Sequence, residues 1–473
     1  MKDSAELSDQ RLRNSLRLHA QLLCSGVFVS GRSPESVIER DLQWAQYTFH
    51  DWNTTHWQVD SQNQLVTLSQ GETSELFSAT SRHTPGLGCT LLPDGLDPAS
   101  FEYVGTPPQT DTTHDWKHAD GSKSDDSSRS ERGNAHRSPP LTVRELTNQV
   151  AVERWLDRAF NDHTRPAQPQ KTRAMLVLYQ GDVIAERYAP GFTADMPMLG
   201  WSMGKSVAAA LLGVYAKESP SFNVDAPTGI AAWSNSSDKR RAITPRHLLN
   251  MAGGLAFTNP SFGDRYYYTD SHQHESVYFK PQDTRELVLN APLAYSPGTQ
   301  FEYRNTNTLS LMALVRQNNE SRGESPLSWP REALFEPLGA TSFVLEPDYS
   351  GNFVITGFVY ATARDWGRMG QLFLNDGLVG ERRLWPKGWA RTLREPSPSA
   401  SFYGGQIWLN ELGGFPNIPR DAYYFLGWLD QVVMVIPSHD LVVVRLGFSA
   451  DGGFRDYFDG LVRELIELLD DVS

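Results

Sequence analysis

Ser202 and Lys205 stand three residues apart in the segment Ser-Met-Gly-Lys. At the start of a helix this spacing puts both side chains on one face, within hydrogen-bonding reach. A serine hydroxyl is a poor nucleophile until a base takes its proton, and lysine can be that base only when burial or nearby charge lowers its pKa. The apolar, Ala-rich stretch 205–217 predicts a buried helix that would supply this burial.

The S-x-x-K spacing also occurs by chance, and a helix-capping serine is the simpler interpretation of Ser202 taken alone. A second copy, from Ser236 to Lys239, lies in the polar run WSNSSDKRR, where nothing would keep the lysine neutral. We interpret that copy as a solvated loop. The first copy therefore needs further partners before it indicates catalysis.

Tyr303 and Asn305 form the only Y-x-N in the sequence and are candidate partners. A tyrosine oxygen beside a lysine ammonium is expected to have a lowered pKa and to relay protons between nucleophile and leaving group. The Asn305 amide is expected to position Lys205 or the substrate. A half-buried tyrosine at a turn before a helix is the alternative.

Gly427 and Trp428 precede a predicted β-hairpin near the C-terminus and supply the third piece. A glycine here allows two backbone segments to approach closely. The Trp428 N–H is then expected to face the Ser202 N–H, so that the pair could stabilise an oxyanion. The alternative is an ordinary strand start with a packed tryptophan.

These pieces, in this order, resemble the serine β-lactamase and penicillin-binding-protein family. The likeness is greatest to the relatives of class C β-lactamases, to the carboxylesterases of that fold and to 6-aminohexanoate-dimer hydrolases. It covers roughly residues 142–473 and includes the segments 247–254, 297–298, 360–365 and 403–406. The resemblance implies an α+β fold in which an antiparallel sheet is flanked by helices and joined by a mainly helical subdomain.

The resemblance also implies a serine hydrolase that forms an acyl-enzyme on Ser202, with Lys205 as proton acceptor and Tyr303 as proton relay. One position departs from the family, because Asp430 stands where the third motif usually has glycine. A carboxylate there would repel the carboxylate of a β-lactam unless it points away. The residues that would hold the substrate or the oxyanion are Asn305, Trp428, Trp408, Tyr267 and Asp270.

We therefore expect a neutral or cationic carboxylic ester or linear amide as the substrate. A binding protein of the same fold without catalytic activity, or a weak β-lactamase, are the alternatives. No metal and no organic cofactor is expected in this chemistry. The sequence does not decide whether the protein forms a homodimer.

The hydrophobic pattern predicts the elements that would position these residues. It predicts helices over 6–23, 143–160, 205–217, 362–377 and 456–470, and β-hairpins over 174–185 and 432–445. Strands at both ends of the C-terminal region, with helices between them, indicate an antiparallel sheet packed by helices.

The chain has 473 residues, of which 39% are hydrophobic, and a net charge of −13. That acidic balance argues against binding to nucleic acid or to an anionic membrane surface through bulk electrostatics. No stretch approaches the ~18 apolar residues of a membrane span.

Three regions of the chain differ in composition. Residues 1–105 contain mixed short elements, residues 106–141 form a polar low-complexity linker, and residues 142–473 form the expected hydrolase domain.

The N-terminal segment and the cysteines bear on the compartment without settling it. Arg11, Arg13 and Arg17 occupy the place of the apolar core of a signal peptide, so no signal peptide is visible, and both cytoplasm and periplasm stay open. Cys24 and Cys89 are expected to form one disulfide in an exported protein, or to stay as two buried thiols otherwise.

Overall fold

The computed structural model describes residues 2–44, 46–71, 77–108, 141–146, 148–162, 167–449 and 452–470. Most of the predicted linker over 106–141 lies outside these ranges. The helices are α1 (Lys2–Phe28), α2 (Pro34–Val37), α3 (Gln149–Ala159), α4 (Gly204–Glu218), α5 (Pro245–Leu249), α6 (Gln273–Phe279), α7 (Thr284–Leu289), α8 (Asn305–Ser321), α9 (Glu336–Leu338), α10 (Ala363–Leu374), α11 (Trp389–Arg394) and α12 (Phe454–Asp470). The strands are β1 (His56–Asp60), β2 (Leu65–Gln70), β3 (Phe77–Thr84), β4 (Gly88–Leu91), β5 (Thr172–Tyr179), β6 (Asp182–Tyr188), β7 (Met198–Leu199), β8 (Val344–Leu345), β9 (Val359–Ala361), β10 (Leu378–Val379), β11 (Arg382–Arg383), β12 (Trp408–Leu409), β13 (Tyr423–Gly427), β14 (Gln431–Ile436) and β15 (Leu441–Gly447).

The central sheet has six antiparallel strands in the order β12-β13-β14-β15-β5-β6. Both predicted hairpins lie in it, as β5–β6 and β14–β15, and β15 pairs with β5 to join them. Gln180 and Gly181 both have positive φ, 53° and 85°, as a tight two-residue hairpin turn requires. The two ends of the predicted hydrolase domain therefore meet in one sheet.

Helices cover both faces of this sheet. Along β14, Val433 and Val435 face the side packed by α10, whereas Val432 and Met434 face the side packed by α3 and α12. Successive side chains on a strand point to opposite faces, so an unbroken apolar run is typical of a strand buried on both sides. This arrangement confirms the predicted α+β class.

The helical part of the molecule lies next to the α10 face and is built around α4. Twelve of the fifteen residues of α4 are buried, and the helix packs against α8. A three-stranded sheet in the order β7-β9-β8 leads the chain into α4. The predicted helix over 205–217 is confirmed, and its first turn follows directly after β7.

An N-terminal lobe consists of α1 packed on the four-stranded antiparallel sheet β1-β2-β3-β4. A disulfide joins Cys24 in α1 to Cys89 in β4, one of the two outcomes that the sequence left open. One contact between the lobe and the rest of the molecule is made by Glu346, whose carboxyl group accepts hydrogen bonds from Ser25 and Gln21 of α1 at 2.7 and 2.8 Å.

One predicted helix begins later than expected. The pattern predicts a helix from residue 143, but α3 begins at Gln149, because Val143 instead forms a parallel bridge with Val183 of β6. Within the described ranges, none of the helices is long and apolar enough to cross a bilayer.

Candidate active site

Ser202 lies at the entrance to α4, in a single turn of 3₁₀ helix over Trp201–Met203. The turn is sterically tight. Trp201 has a φ of +48°, which a bulky side chain rarely adopts, and a Cβ added to Gly204 would lie 2.0 Å from the carbonyl oxygen of Ile355. Strained backbone of this kind persists only where the surrounding structure holds it, and the turn thereby fixes Ser202 relative to α4.

Lys205 lies directly beneath Ser202, and its side chain is almost wholly buried. Its Nζ is 3.0 Å from the Ser202 Oγ and donates a second hydrogen bond to the carbonyl oxygen of Thr356 at 3.1 Å. Burial lowers the pKa of Lys205 to about 7, although the Glu275 carboxylate acts in the opposite direction. Near neutral pH a substantial fraction of Lys205 is therefore uncharged and can accept a proton.

Tyr303 completes the group around the Ser202 hydroxyl. The Lys205 Nζ lies 4.9 Å from the centre of the Tyr303 ring, and the Tyr303 hydroxyl is within hydrogen-bonding reach of Ser202. The expected lowering of the Tyr303 pKa is wrong, because burial raises that pKa well above its usual value and outweighs the hydrogen bond to Ser202. Tyr303 is thus a phenol at neutral pH, suited to donating a proton.

Ser202 and Trp428 both line the same cavity, on two backbone segments that meet there. A Cβ added to Gly427 would lie 2.1 Å from the carbonyl oxygen of Gly200, so the end of β13 packs directly against the turn before Ser202. Apart from bonds internal to helices and strands, the described residues show no backbone hydrogen bond from the N–H of Ser202 or of Trp428. Unused donors beside a nucleophile can stabilise a developing oxyanion.

Ser202 and Tyr303 open onto a cavity of about 360 Å³. Trp408 and Trp428, both candidates from the sequence, line it, with the Trp408 ring 5.5 Å from that of Tyr303. The Tyr268 hydroxyl, on the same wall, is buried and has no hydrogen-bond partner in the described part of the chain. The cavity is therefore largely aromatic, with a few polar groups available to a substrate.

Asn305 lies behind the cavity wall. Its amide nitrogen donates to the His274 carbonyl oxygen at 2.7 Å and to the Tyr278 hydroxyl at 3.0 Å. Both acceptors belong to α6, which lines the cavity. The structure thus places Asn305 where it positions α6, whereas the sequence suggested contact with Lys205 or the substrate.

Tyr267 and Asp270 do not line the cavity, and this corrects the prediction from the sequence. The Tyr267 hydroxyl accepts a hydrogen bond from Gln46, and Asp270 is exposed, 3.5 Å from Lys280. The chain turns at Tyr268, whose φ is +59°, so that Tyr268 faces the cavity in place of its neighbour.

Helix α6 contributes further cavity residues that were not predicted from the sequence. Glu275 and Tyr278 line the cavity together with His274. Burial raises the pKa of Glu275 to about 7, and Lys205 partly opposes this. The available signal was the three-residue spacing of Glu275 and Tyr278, which puts an acidic and an aromatic side chain on one face of a short helix.

Asp430 also lines the cavity, in the turn between β13 and β14. Burial raises its pKa to about 6, although Arg445 and Arg455 act to lower it. Leu429 and Asp430 both have positive φ, 59° and 62°, which brings the chain round tightly after Trp428. Above about pH 6 the cavity therefore carries a carboxylate at the position where the resemblance leads one to expect glycine.

Comparisons with known proteins agree with this fold. Residues 166–460 match the protein family described as Beta-lactamase. The 6-aminohexanoate-dimer hydrolase of Paenarthrobacter ureafaciens is 25% identical over 328 residues, which cover 64% of this chain and 79% of that protein. A provisionally assigned 6-aminohexanoate-dimer hydrolase from Bacillus anthracis has a TM-score of 0.54 at 19% identity, covering 64% of this chain and 81% of that one. A family VIII carboxylesterase has a TM-score of 0.52 at 13% identity, covering 68% of this chain and 98% of that one.

Proposed function

The chain belongs to the β-lactamase family, and on that premise we propose that it is a serine hydrolase that cleaves a carboxylic ester or a linear amide through an acyl-enzyme on Ser202. One observation carries the proposal: the Ser202 Oγ lies 3.0 Å from a buried lysine nitrogen, and burial lowers the pKa of that lysine to about 7. A hydroxyl beside an uncharged amine can lose its proton as it attacks a carbonyl.

The proposed reaction has two halves. Neutral Lys205 takes the Ser202 proton as the Oγ attacks the carbonyl carbon, and the N–H groups of Ser202 and Trp428 stabilise the oxyanion, by about 3–4 kcal/mol for each donor. Tyr303 gives its proton to the leaving alcohol or amine and regains one from protonated Lys205. Water then attacks the acyl-enzyme by the reverse route, which releases the acid and restores Ser202.

A fluorophosphonate probe with intact-mass detection tests the nucleophile. We expect one adduct on the wild-type protein and on the Ser236→Ala control, and none on Ser202→Ala. Ser236 is a suitable control because it belongs to the second S-x-x-K copy and is exposed. A protein that takes up no probe in any form would be a binding protein of this fold rather than a hydrolase.

The two carboxyl groups in the cavity bear on the substrate. Asp430 and Glu275 both line it, and an anionic substrate would meet their negative charge once they ionise. This supports a neutral or cationic ester or linear amide over a β-lactam, which leaves weak β-lactamase activity as the second candidate.

The ranking of substrates tests that preference. We expect the wild-type protein to turn over p-nitrophenyl butyrate clearly faster than nitrocefin at pH 7.5. Asp430→Asn should raise nitrocefin turnover relative to the ester, because it removes a charge that repels the β-lactam carboxylate. Turnover of a linear 6-aminohexanoate dimer tests whether the protein also cleaves linear amides. Faster hydrolysis of nitrocefin than of the ester by the wild type would overturn the proposal that the Asp430 charge disfavours β-lactams.

A further inference from the structure

A second cavity lies behind one wall of the catalytic cavity. It has a volume of about 70 Å³, several times the space that one water molecule needs. The two cavities share five lining residues, so a single layer of mostly aromatic side chains separates them. These residues are Leu18, Tyr47, Trp201, Trp428 and Leu429.

Arginine side chains from two parts of the fold meet at this second cavity. Arg32 comes from the N-terminal lobe and Arg173 from β5, and both line the cavity. Their guanidinium carbons lie 5.1 and 5.0 Å from the centre of the Phe192 ring. Stacking of this kind keeps a guanidinium flat against an apolar surface with its edge free to donate hydrogen bonds.

Positive charge exceeds negative charge in this cavity. Of the described residues that line it, Asp41 alone carries a carboxylate, and it pairs with both Arg32 and Arg173. His19 also lines the cavity, and burial lowers its pKa well below the usual value, so it adds no charge at neutral pH. Two guanidinium groups therefore share one carboxylate, which leaves a net charge of +1.

The hydrogen-bonding capacity of Arg32 is also incompletely used. The Arg32 Nη2 donates to the Ser36 carbonyl oxygen at 2.8 Å, whereas its Nε is buried and has no acceptor among the described residues. Arg32 itself is more than nine-tenths buried. A buried guanidinium N–H without an acceptor is costly, and a carboxylate oxygen is the acceptor that matches its geometry.

Most of the remaining lining is apolar, although Ser30, Tyr360 and Gln431 also belong to it. Trp44, Phe192, Met198 and Phe448 surround the arginines, together with the shared aromatic wall. We propose that this second cavity binds a small aliphatic carboxylate, whose oxygens accept hydrogen bonds from Arg32 and Arg173 and whose methylene groups pack against the aromatic side chains. Binding at this site does not require hydrolysis at Ser202. It goes beyond the proposed function by giving the protein a second kind of ligand.

Calorimetric titration of butyrate into full-length Ser202→Ala protein tests the site without turnover. We expect saturable binding of one butyrate, and no saturable binding of butyramide, which has nearly the same shape without the charge. Arg173→Met should weaken butyrate binding at least tenfold. Arg40→Met is the matched control, because Arg40 also contacts the Phe192 ring, at 5.8 Å, but is exposed and lies outside the cavity; it should change binding less than twofold.

Three results would overturn the proposal: no saturable butyrate binding, equal binding of butyramide, or equal weakening by Arg173→Met and Arg40→Met. Because Arg173→Met could instead unfold the protein, a second measurement uses the wild type. A small alkyl-diazirine carboxylate should crosslink to peptides containing Phe192 or Phe448, and butyrate should protect them. Labelling elsewhere alone would contradict the site. Failure of fluorophosphonate labelling would reject the hydrolase proposal and leave these outcomes unaffected.

Discussion

Glu275 lies in the wall of the cavity beside Ser202, where its charge acts on Lys205. Its carboxylate acts to raise the pKa of Lys205, against burial, which lowers that pKa to about 7. Glu275→Gln removes this negative charge, so the pKa of Lys205 should fall further. We therefore expect the acid limb of kcat/KM for p-nitrophenyl butyrate, measured from pH 5 to 9, to move to lower pH in the variant.

Asp430→Asn is the matched control for this pH profile. Asp430 is a second carboxyl group in the same cavity, but Glu275 is the charge that acts on Lys205. The variant should leave the position of the acid limb unchanged. If the limb stays in place in Glu275→Gln as well, then Lys205 is not the group whose titration controls the rate.

At the scale of single residues, the sequence predicts which side chains come together within a short motif. It does not predict which side chain faces the cavity where a local turn sets its direction. Ser202 and Lys205 meet because a three-residue spacing at a helix start puts both side chains on one face. The choice between Tyr267 and Tyr268 depends on the positive φ of Tyr268, whose N–H donates to His272 at 3.0 Å. Three consecutive tyrosines give no pattern from which that turn could be read.

At the scale of helices and strands, the proposed chemistry depends most on how the end of β13 packs against the turn that precedes α4. A Cβ on Gly427 would lie 2.1 Å from the Gly200 carbonyl oxygen, so Gly427→Ala must push the strand away from the turn that carries Ser202. Moving the Trp428 N–H should lower kcat/KM for the ester by about 10–100-fold, because oxyanion stabilisation depends on position. Steady-state kinetics beside thermal unfolding measures the effect.

Gly460→Ala provides the comparison for that substitution. Gly460 lies in α12, and a Cβ there would meet open space. The change should leave kcat/KM unaltered and stabilise the protein by about 0.5–1 kcal/mol, since alanine favours the helix interior. Unchanged kinetics in Gly427→Ala would argue that the Trp428 N–H takes no part in the reaction.

Helices and strands are likewise predictable from the sequence where the local pattern determines them, and not where distant contacts do. The β14–β15 hairpin is predictable because two apolar runs flank a short polar turn, and both faces of the strands are buried. The start of α3 is not, because a bridge from Val143 to Val183, forty residues away, competes with the local helical pattern. Contacts distant in sequence decide what local periodicity leaves open.

For the whole molecule, Glu346 links the stability of the N-terminal lobe to pH. Burial raises its pKa to about 8, above the ordinary 4.5, despite hydrogen bonds from Ser25, Gln21 and the Cys89 N–H. Between these two values the folded protein binds more protons than the unfolded chain, so stability should fall as pH rises, by up to about 1.4 kcal/mol per pH unit. Glu346→Gln should remove this contribution in urea unfolding at pH 5, 7 and 9.

The exposed residue Glu332 offers a control at a similar place in the chain. Glu332→Gln should keep the wild-type dependence of unfolding free energy on pH. A Glu346→Gln protein that still loses stability from pH 5 to 8 to the same extent would show that another group binds the extra proton.

Leu18 and Tyr47 line the cavity beside Ser202, although the family match extends only over residues 166–460. Part of the cavity lining therefore comes from outside the residues that match the family. Exchanging this lobe for that of another such protein should alter the choice of acyl or leaving group and leave the nucleophile as reactive as before. On the proposed function, we therefore expect the choice of substrate and the reactivity of Ser202 to be encoded by separate stretches of this sequence.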